Sequence, residues 1–352
     1  MKKKCLFFCQ DTVGGAERMT TLIGKSLNQD LYEVVFFLVN RHAKSSITDF
    51  IPKEIRTITL YENGYFSLIL NMIKALIKEK PDIVFSSVYN LSNKLLLLKW
   101  VAPHAKFIIR CDNYIYTYNN KQQKLLRKTY PKADVLIAQT EEMGNELIEQ
   151  LGIKAEKVNV LHNPIDKDLI DKKLKGTTNP FSHNEKKHYV AMGRFDPQKG
   201  FDLLIEAFIK VHQINNNTEL FIVGDTWACN GEVAMDVRKK AEEAGISELV
   251  HFAGYQNNPY PYIKYADCFV LSSRWEGLPN VLIEALYLGI PVAAFKCIPI
   301  IERIVNDGIN GVLAEKEDVE SLASAMIKAT DMNCVTSYYE SAEISSFTQL
   351  FD

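Results

Sequence analysis

The chain has 352 residues, 47% of them hydrophobic and 24% charged, with a formal net charge of −2. That length suggests two domains of ordinary size, and the apolar fraction can fill their cores, which excludes a disordered or fibrous class. The near-neutral balance excludes a bulk polyanion binder, but residues 1–165 carry 23 Lys and Arg against 16 Asp and Glu, and the remainder 18 against 27; a basic first half suits an acidic surface such as an anionic membrane.

Met1-Lys2-Lys3-Lys4 followed by Cys5-Leu6-Phe7-Phe8-Cys9 imitates a secretion signal, but the apolar run is too short and no small-residue cleavage site follows. Seven scattered cysteines (5, 9, 111, 229, 268, 297 and 334) show no metal-ligand spacing and read as reduced cytosolic thiols. No run of about 18 apolar residues is present to cross a membrane.

Short apolar strand patterns then alternate with helical ones. The first half predicts strands over Lys4–Phe8, Glu33–Val39, Ile55–Leu60, Asp82–Ser86, Lys106–Arg110, Asp134–Ala138 and Val158–Leu161. Helices are predicted near Ala16–Leu27, Phe66–Lys78, Leu91–Trp100, Lys121–Tyr130 and Glu141–Leu151. Polar Lys167–Lys187, with Gly176, Asn179 and Pro180, reads as a linker. The alternation restarts with strands over His188–Met192, Glu219–Val223, Leu249–Ala253, Cys268–Leu271, Val292–Phe295 and Gly311–Leu313. Helices over Gly200–Gln213, Glu232–Gly245, Pro261–Tyr265, Val281–Leu288, Ile300–Val305 and Val319–Thr330 intervene.

This pattern predicts an α/β protein of two doubly wound, Rossmann-like parallel-sheet domains. Residues 1–166 form the first, 167–187 the linker, 188–335 the second, and 336–352 a tail that packs back on the first. Ligands of such sheets bind at the carboxyl ends of strands, so the expected site is a cleft where the domains face each other.

Four segments carry chemistry. Asp11 to Arg18 follows the first strand, and Gly14 and Gly15 permit close backbone approach at a helix start, an anion-type site. The third glycine of a dinucleotide fingerprint is missing, which argues against a nicotinamide enzyme. Gly193-Arg194-Phe195-Asp196-Pro197-Gln198-Lys199-Gly200 follows the first strand of the second half, and its two cations can neutralise a diphosphate without a metal. Glu276-Gly277-Leu278-Pro279-Asn280 leads into a helix bearing Glu284. Pro279 fits the first helical position, the amides of the first turn attract an anion, and carboxylates on either side suit hydroxyls, together describing a nucleotide sugar. Asp166-Lys167-Asp168 matches a metal-binding Asp-x-Asp textually, but after Pro164 it reads as helix-start chemistry.

Gly14-Gly15-Ala16-Glu17-Arg18, His162-Asn163-Pro164-Ile165, Gly193-Arg194 with Lys199-Gly200, and Glu276-Gly277-Leu278 with Glu284 together resemble glycosyltransferase family 4. The resemblance covers nearly the whole chain in order and implies a GT-B fold and a retaining, metal-independent enzyme without a cofactor. It implies that Arg194 and Lys199 bind the donor diphosphate as leaving group. Glu284 would hold ribose hydroxyls and Glu276 the donor sugar. The backbone of Gly277, Leu278, Pro279 and Asn280 would lie near phosphate or sugar, and Gly15 against the phosphates from the opposite domain. Gly14, His162 and Gly193 join the substrate-binding set. Charge growing on the departing phosphate is stabilised by fixed donors, roughly 3–4 kcal/mol for each good one.

Two departures stand out. Where many members carry a His after the middle strand, this chain reads Ile109-Arg110-Cys111-Asp112-Asn113; Asp112 is the first candidate for that place, touching donor sugar or helping to deprotonate the acceptor, and Arg110 the second. Gly224-Asp225 is followed by Thr226-Trp227-Ala228 rather than another glycine, which leaves base preference open.

Tyr114, Tyr116, Tyr118 and Tyr130 among Lys121, Lys124, Arg127, Lys128 and Lys132 suit an anionic bilayer interface, as does Phe66–Lys80. No nucleic-acid module accompanies them. Tyr130-Pro131-Lys132-Ala133-Asp134 and Asn257-Asn258-Pro259-Tyr260-Pro261-Tyr262 resemble the N-acetylgalactosamine transferases that extend bacterial glycans on diphospho-undecaprenol. The expectation is a UDP-sugar donor, a lipid-linked oligosaccharide acceptor in capsule or O-antigen assembly, and a place on the inner face of the cytoplasmic membrane. The alternatives are a sugar-nucleotide epimerase of the same architecture and a non-catalytic scaffold.

Overall fold

A computed structural model describes residues 2–40, 46–62, 64–182, 185–226, 228–332 and 343–352. Trp227, Cys334 and the first part of the predicted tail lie outside them. The chain divides into two compact units, Met1–Pro164 with Ser341–Asp352, and Ile165–Glu340.

The first unit contains β1 (Lys3–Gln10), α1 (Gly15–Ser26), β2 (Tyr32–Asn40), β3 (Arg56–Tyr61), α2 (Tyr65–Glu79), β4 (Ile83–Ser86), α3 (Tyr89–Leu97), β5 (Lys106–Arg110), α4 (Asn120–Thr129), β6 (Val135–Ala138), α5 (Glu141–Leu151) and β7 (Val158–Val160). Its strands form one sheet in the order β3-β2-β1-β4-β5-β6-β7, parallel throughout. The chain moves outward from β1 in one direction and then in the other, so the topological switch lies between β1 and β4. The central strands are apolar along their whole length because helices cover both faces. Phe8 stacks on Phe37 on one side at 4.9 Å. Phe7 meets Phe36 and Phe85 on the other, at 5.3 and 5.0 Å.

The second unit contains α6 (Lys167–Leu174), β8 (Lys187–Met192), α7 (Phe201–Ile214), β9 (Thr218–Val223), α8 (Glu232–Glu243), β10 (Val250–Gly254), α9 (Tyr260–Lys264), β11 (Cys268–Leu271), α10 (Asn280–Tyr287), β12 (Val292–Phe295), α11 (Ile301–Ile304), β13 (Gly311–Ala314) and α12 (Val319–Thr330). Its sheet runs β10-β9-β8-β11-β12-β13, again parallel, with the switch between β8 and β11. Finally, α13 (Ile344–Thr348) belongs to the first unit, where Phe351 stacks on Phe7 at 5.6 Å.

The segment expected to be a linker differs. Asp166 accepts a hydrogen bond from the Leu169 amide at 3.2 Å and starts α6, whose Ile170 is buried. The division falls after Pro164, and 167–174 is part of the second unit. Its polar composition hid one apolar anchor on an eight-residue helix. Asp166 thus serves as a helix cap.

Candidate functional site

Of the site residues that the sequence analysis placed in the second domain, Gly193, Lys199 and Glu276 come together at the β8/β11 switch. After β8 the chain makes a short turn over Pro197–Lys199, passes through Gly200 at φ +61°, and enters α7. Buried Phe195 pins this loop against Phe201 at 4.8 Å and Phe252 at 5.6 Å. A Cβ on Gly200 would lie 2.1 Å from the Ser272 carbonyl, so only glycine lets the loop rest on the end of β11. Gly193 and Gly224 make a second close approach: a Cβ on Gly224 would lie 1.8 Å from the Gly193 carbonyl.

Several bonds then tie the two loops together. Ser272 Oγ donates to the Lys199 carbonyl at 2.8 Å, and the Arg274 amide to the Gln198 carbonyl at 2.8 Å. Gln198 Nε2 donates to the Trp275 carbonyl at 2.9 Å. Arg274 grips Asp202 at 2.9 and 2.5 Å while also donating to the Pro197 carbonyl at 2.8 Å. Ser272 and Asp202 were missed in the sequence because each contacts a partner more than 70 residues away, Ser273 bonds Glu276 three residues on, and Gln198 and Arg274 had no role assigned although they lie inside the motif stretches.

This frame holds Lys199 Nζ 2.7 Å from Glu276 Oε1, which also accepts from Ser273 Oγ at 2.6 Å. Glu276 is buried, as is Glu284. A cation and a carboxylate thus stand side by side, the first suited to phosphate oxygens and the second to hydroxyls. Gly277, Leu278 and Pro279 are buried beside them and lead into α10. The helix begins at Asn280, with Pro279 as its N-cap rather than its first residue, and no side chain caps it. Glu284 therefore sits just over one turn into the helix. Cys297, near this pair, is an unsuitable nucleophile: burial first, then the Glu276 charge, push its thiol up to about 12. Arg194 stands apart; its side chain is 68% exposed, and its ion-pair partner is Asp196 at 3.5 Å.

The carboxyl end of the first sheet holds a separate polar group. Arg110, closing β5, is buried and donates to Asn163 Oδ1. Asn163 Nδ2 donates to Gln139 Oε1 at 3.0 Å, and Gln139 Nε2 to the Cys111 and Asp112 carbonyls at 2.7 and 3.2 Å. Among the described residues Arg110 Nε has no hydrogen-bond partner. Burial draws its pKa down to about 10. Asp112 accepts from the Tyr118 hydroxyl at 2.6 Å and the Tyr89 amide at 3.3 Å. Burial nevertheless raises its carboxyl above the ordinary value, the effect expected when a carboxylate leaves water. Gln139 had no sequence signal; His162 lies partly buried after β7.

Gly14 caps α1 with extended backbone and Gly15 opens the helix. The expected anion site there is altered: Glu17 is buried and folds back, its Oε2 2.3 Å from where a Cβ on Gly14 would lie. A carboxylate of the chain itself occupies the space beside the helix start, so like-charge repulsion disfavours another anion at Gly14.

The aromatic flank of α4 also differs. Tyr114 and Tyr130 are buried, Tyr118 turns inward to Asp112, and only Tyr116 faces outward.

Residues 177–343 match the family described as Glycosyl transferases group 1, and residues 13–169 match Glycosyltransferase Family 4. A Campylobacter jejuni N-acetylgalactosamine-N,N'-diacetylbacillosaminyl-diphospho-undecaprenol 4-alpha-N-acetylgalactosaminyltransferase is 27% identical over 198 residues, 56% of this chain and 51% of that protein. An Escherichia coli UDP-Gal:alpha-D-GlcNAc-diphosphoundecaprenol alpha-1,3-galactosyltransferase is 25% identical over 310 residues, 80% and 74% of the two chains. The chain spans about half the length of two of the curated relatives it matches, an archaeal glycosyltransferase and the Campylobacter enzyme. The crystal structure of the Anabaena protein HepE with UDP and glucose superimposes with a TM-score of 0.81 at 18% identity, covering 99% of this chain and 98% of that one.

Proposed function

The chain belongs to the glycosyltransferases, joining a family 4 region to a group 1 region on the GT-B fold, and on that premise we propose that it transfers a hexose or N-acetylhexosamine from a UDP-sugar to a lipid-linked oligosaccharide, with retention at the anomeric carbon. The observation that carries the donor assignment is the Lys199–Glu276 pair at the β8/β11 switch, beside the uncapped start of α10. Lys199 and the first amides of α10 stabilise the departing UDP phosphate, a preorganised arrangement that needs no rearrangement during the reaction. Glu276 and Glu284 accept hydrogen bonds from sugar and ribose hydroxyls. Arg194, exposed on the loop after β8, contacts the outer phosphate oxygens. In the first unit, Asp112 takes the acceptor's proton; burial raises its carboxyl above the ordinary value, the direction that strengthens a general base. The names of the Campylobacter and Escherichia coli relatives support a diphospho-undecaprenol-linked acceptor, and the Anabaena complex supports UDP.

The test begins with the purified full chain, measuring melting with UDP and a panel of UDP-sugars, with and without EDTA. Stabilisation by UDP that ignores EDTA, followed by transfer of labelled sugar to a diphospho-undecaprenol-linked glycan with the donor's anomeric configuration, is the expected result. Epimerised donor without glycoside would replace the reading by a sugar-nucleotide epimerase. No nucleotide binding would leave a scaffold.

A further inference from the structure

The loop that joins β5 to α4 is clipped at several points, and one of them is Asp112. The loop turns once, over Ile115–Thr117. The Ile115 amide donates to Glu146 Oε2 at 2.7 Å, the Tyr114 hydroxyl pairs with Thr140 Oγ1 at 2.8 Å, and Thr117 Oγ1 donates to the Tyr114 carbonyl at 2.6 Å. Tyr118 leaves the turn with extended backbone, and its ring stacks on Tyr89 at 4.7 Å, 26° from parallel. Its hydroxyl donates to Asp112 Oδ1 at 2.6 Å, the short length of a bond to a charged acceptor. Asp112 Oδ2 accepts a longer bond, at 3.3 Å, from the Tyr89 amide at the start of α3. Asp112 is partly rather than fully buried, so a substrate hydroxyl can reach it.

We propose that Tyr118 is the positioning residue of the acceptor's base, its hydroxyl holding Asp112 Oδ1 so that Oδ2 is left to take the proton. The proposal rests on the role given to Asp112 above. In the step it serves, the acceptor hydroxyl gives its proton to Oδ2 and an electron pair to the anomeric carbon, while the bond from that carbon to the UDP oxygen breaks and its pair leaves with the phosphate. A donor aimed at a carboxylate favours the charged form, and burial opposes it. The Tyr118 bond therefore works against the burial that raises the Asp112 carboxyl, and keeps the base ionised at a lower pH than burial alone would allow. The other groups facing Asp112 do not replace it. Arg110 of β5 also favours the carboxylate, but its guanidinium is bonded to Asn163 and feels Glu17 of α1 as well. Cys111 on the same loop, Tyr89 of α3 and Tyr130 after α4 are the remaining titratable neighbours; burial raises each of them, so they stay neutral while Asp112 titrates. The Tyr118 phenol is raised in the same way and remains a donor.

The Asp112 carboxyl is titrated by carbon-13 NMR in the full chain labelled at aspartate, with Asp112→Asn identifying its signal. Tyr118→Phe keeps the ring on Tyr89 and removes the one bond, so the Asp112 midpoint should rise by about one pH unit. Tyr114→Phe removes the Thr140 bond from the same turn; it should lower the melting temperature and leave the midpoint where it is. An unmoved midpoint in Tyr118→Phe, or an equal rise in Tyr114→Phe, would overturn the proposal and leave Tyr118 a packing residue. The pH profile of kcat, with a UDP-sugar and a diphospho-undecaprenol-linked glycan both saturating, should follow the titration. Because a base works only above its pKa, Tyr118→Phe should lose about tenfold in turnover below the acid limb, recover to within about threefold on the alkaline side, and keep the UDP-sugar KM within about twofold. A midpoint that rises while the acid limb stays would also overturn the positioning role. Asp112→Asn at wild-type turnover is a different failure: it removes Asp112 from the reaction, and the titration still decides what Tyr118 does to its carboxyl.

Discussion

At the scale of single residues, the Lys199–Glu276 pair sets the strongest expectation. Lys199→Ala should lower turnover about 10²–10³-fold, the usual loss for one preorganised charge donor. It also leaves Glu276 buried beside Ser273 alone, at a cost of about 1–3 kcal/mol, so the melting temperature should fall as well. Lys199→Met with Glu276→Gln should recover much of that stability without recovering activity. Activity that survives in either form would remove the pair from the reaction. Gly200→Ala makes a different demand, a left-handed backbone and a Cβ 2.1 Å from the Ser272 carbonyl. It should cost about 2–4 kcal/mol by denaturant titration, combining αL strain with overpacking. These residues were legible because glycine, lysine and glutamate at loop–helix junctions have few other uses. Their distances were not, because the 77-residue separation between Lys199 and Glu276 closes only when β8 and β11 pair.

At the scale of elements, strand and helix periodicity located most of the segments within a residue or two. The failures have physical causes. α6 is short and largely polar, so its helical face rests on Ile170 alone. The tyrosines around α4 turn inward because Asp112 and Thr140 offer them partners; Tyr114 bonds Thr140 at 2.8 Å. Composition cannot tell an interfacial tyrosine from a core one whose hydroxyl is satisfied. The end of α2 yields a pH prediction. The Arg56 hydrogen bond holds the Glu79 carboxyl below its ordinary value. A group whose folded pKa is depressed contributes stability above its unfolded pKa and loses it as pH falls through the folded one. Glu79→Gln should therefore cost about 1–2 kcal/mol at neutral pH, discounted for the half-exposed Arg56, and the difference should close in acid. A constant difference down to the acid limit would show that packing, not charge, holds that corner.

At the scale of the whole molecule, the last residues complete the first unit. Phe351 is fully buried against Phe7 and Phe85, and the Tyr32 hydroxyl donates to Asp352 at 2.6 Å. Phe351→Ala should destabilise that unit by about 3–5 kcal/mol, as for other buried aromatics. Because the proposed donor residues lie in the other unit, the UDP melting shift should persist in the variant while the first transition moves down. Loss of both together would mean that the two units unfold as one.

The sequence by itself determined the α/β class, the two parallel-sheet units, the family and the loop–helix junctions that carry Lys199, Glu276 and Glu284. Those features are written in local periodicity and in residue types with narrow conformational or chemical uses. Tertiary structure alone decided which of the candidates meet. It paired Lys199 with Glu276 and left Arg194 in solvent, placed Glu17 beside Gly14, buried Arg110 under Asn163, and turned the α4 tyrosines inward while leaving Phe66 and Trp100 outside. The reason is common to all of them: burial and contact depend on strand order, and residues far apart in sequence become neighbours only where parallel strands align.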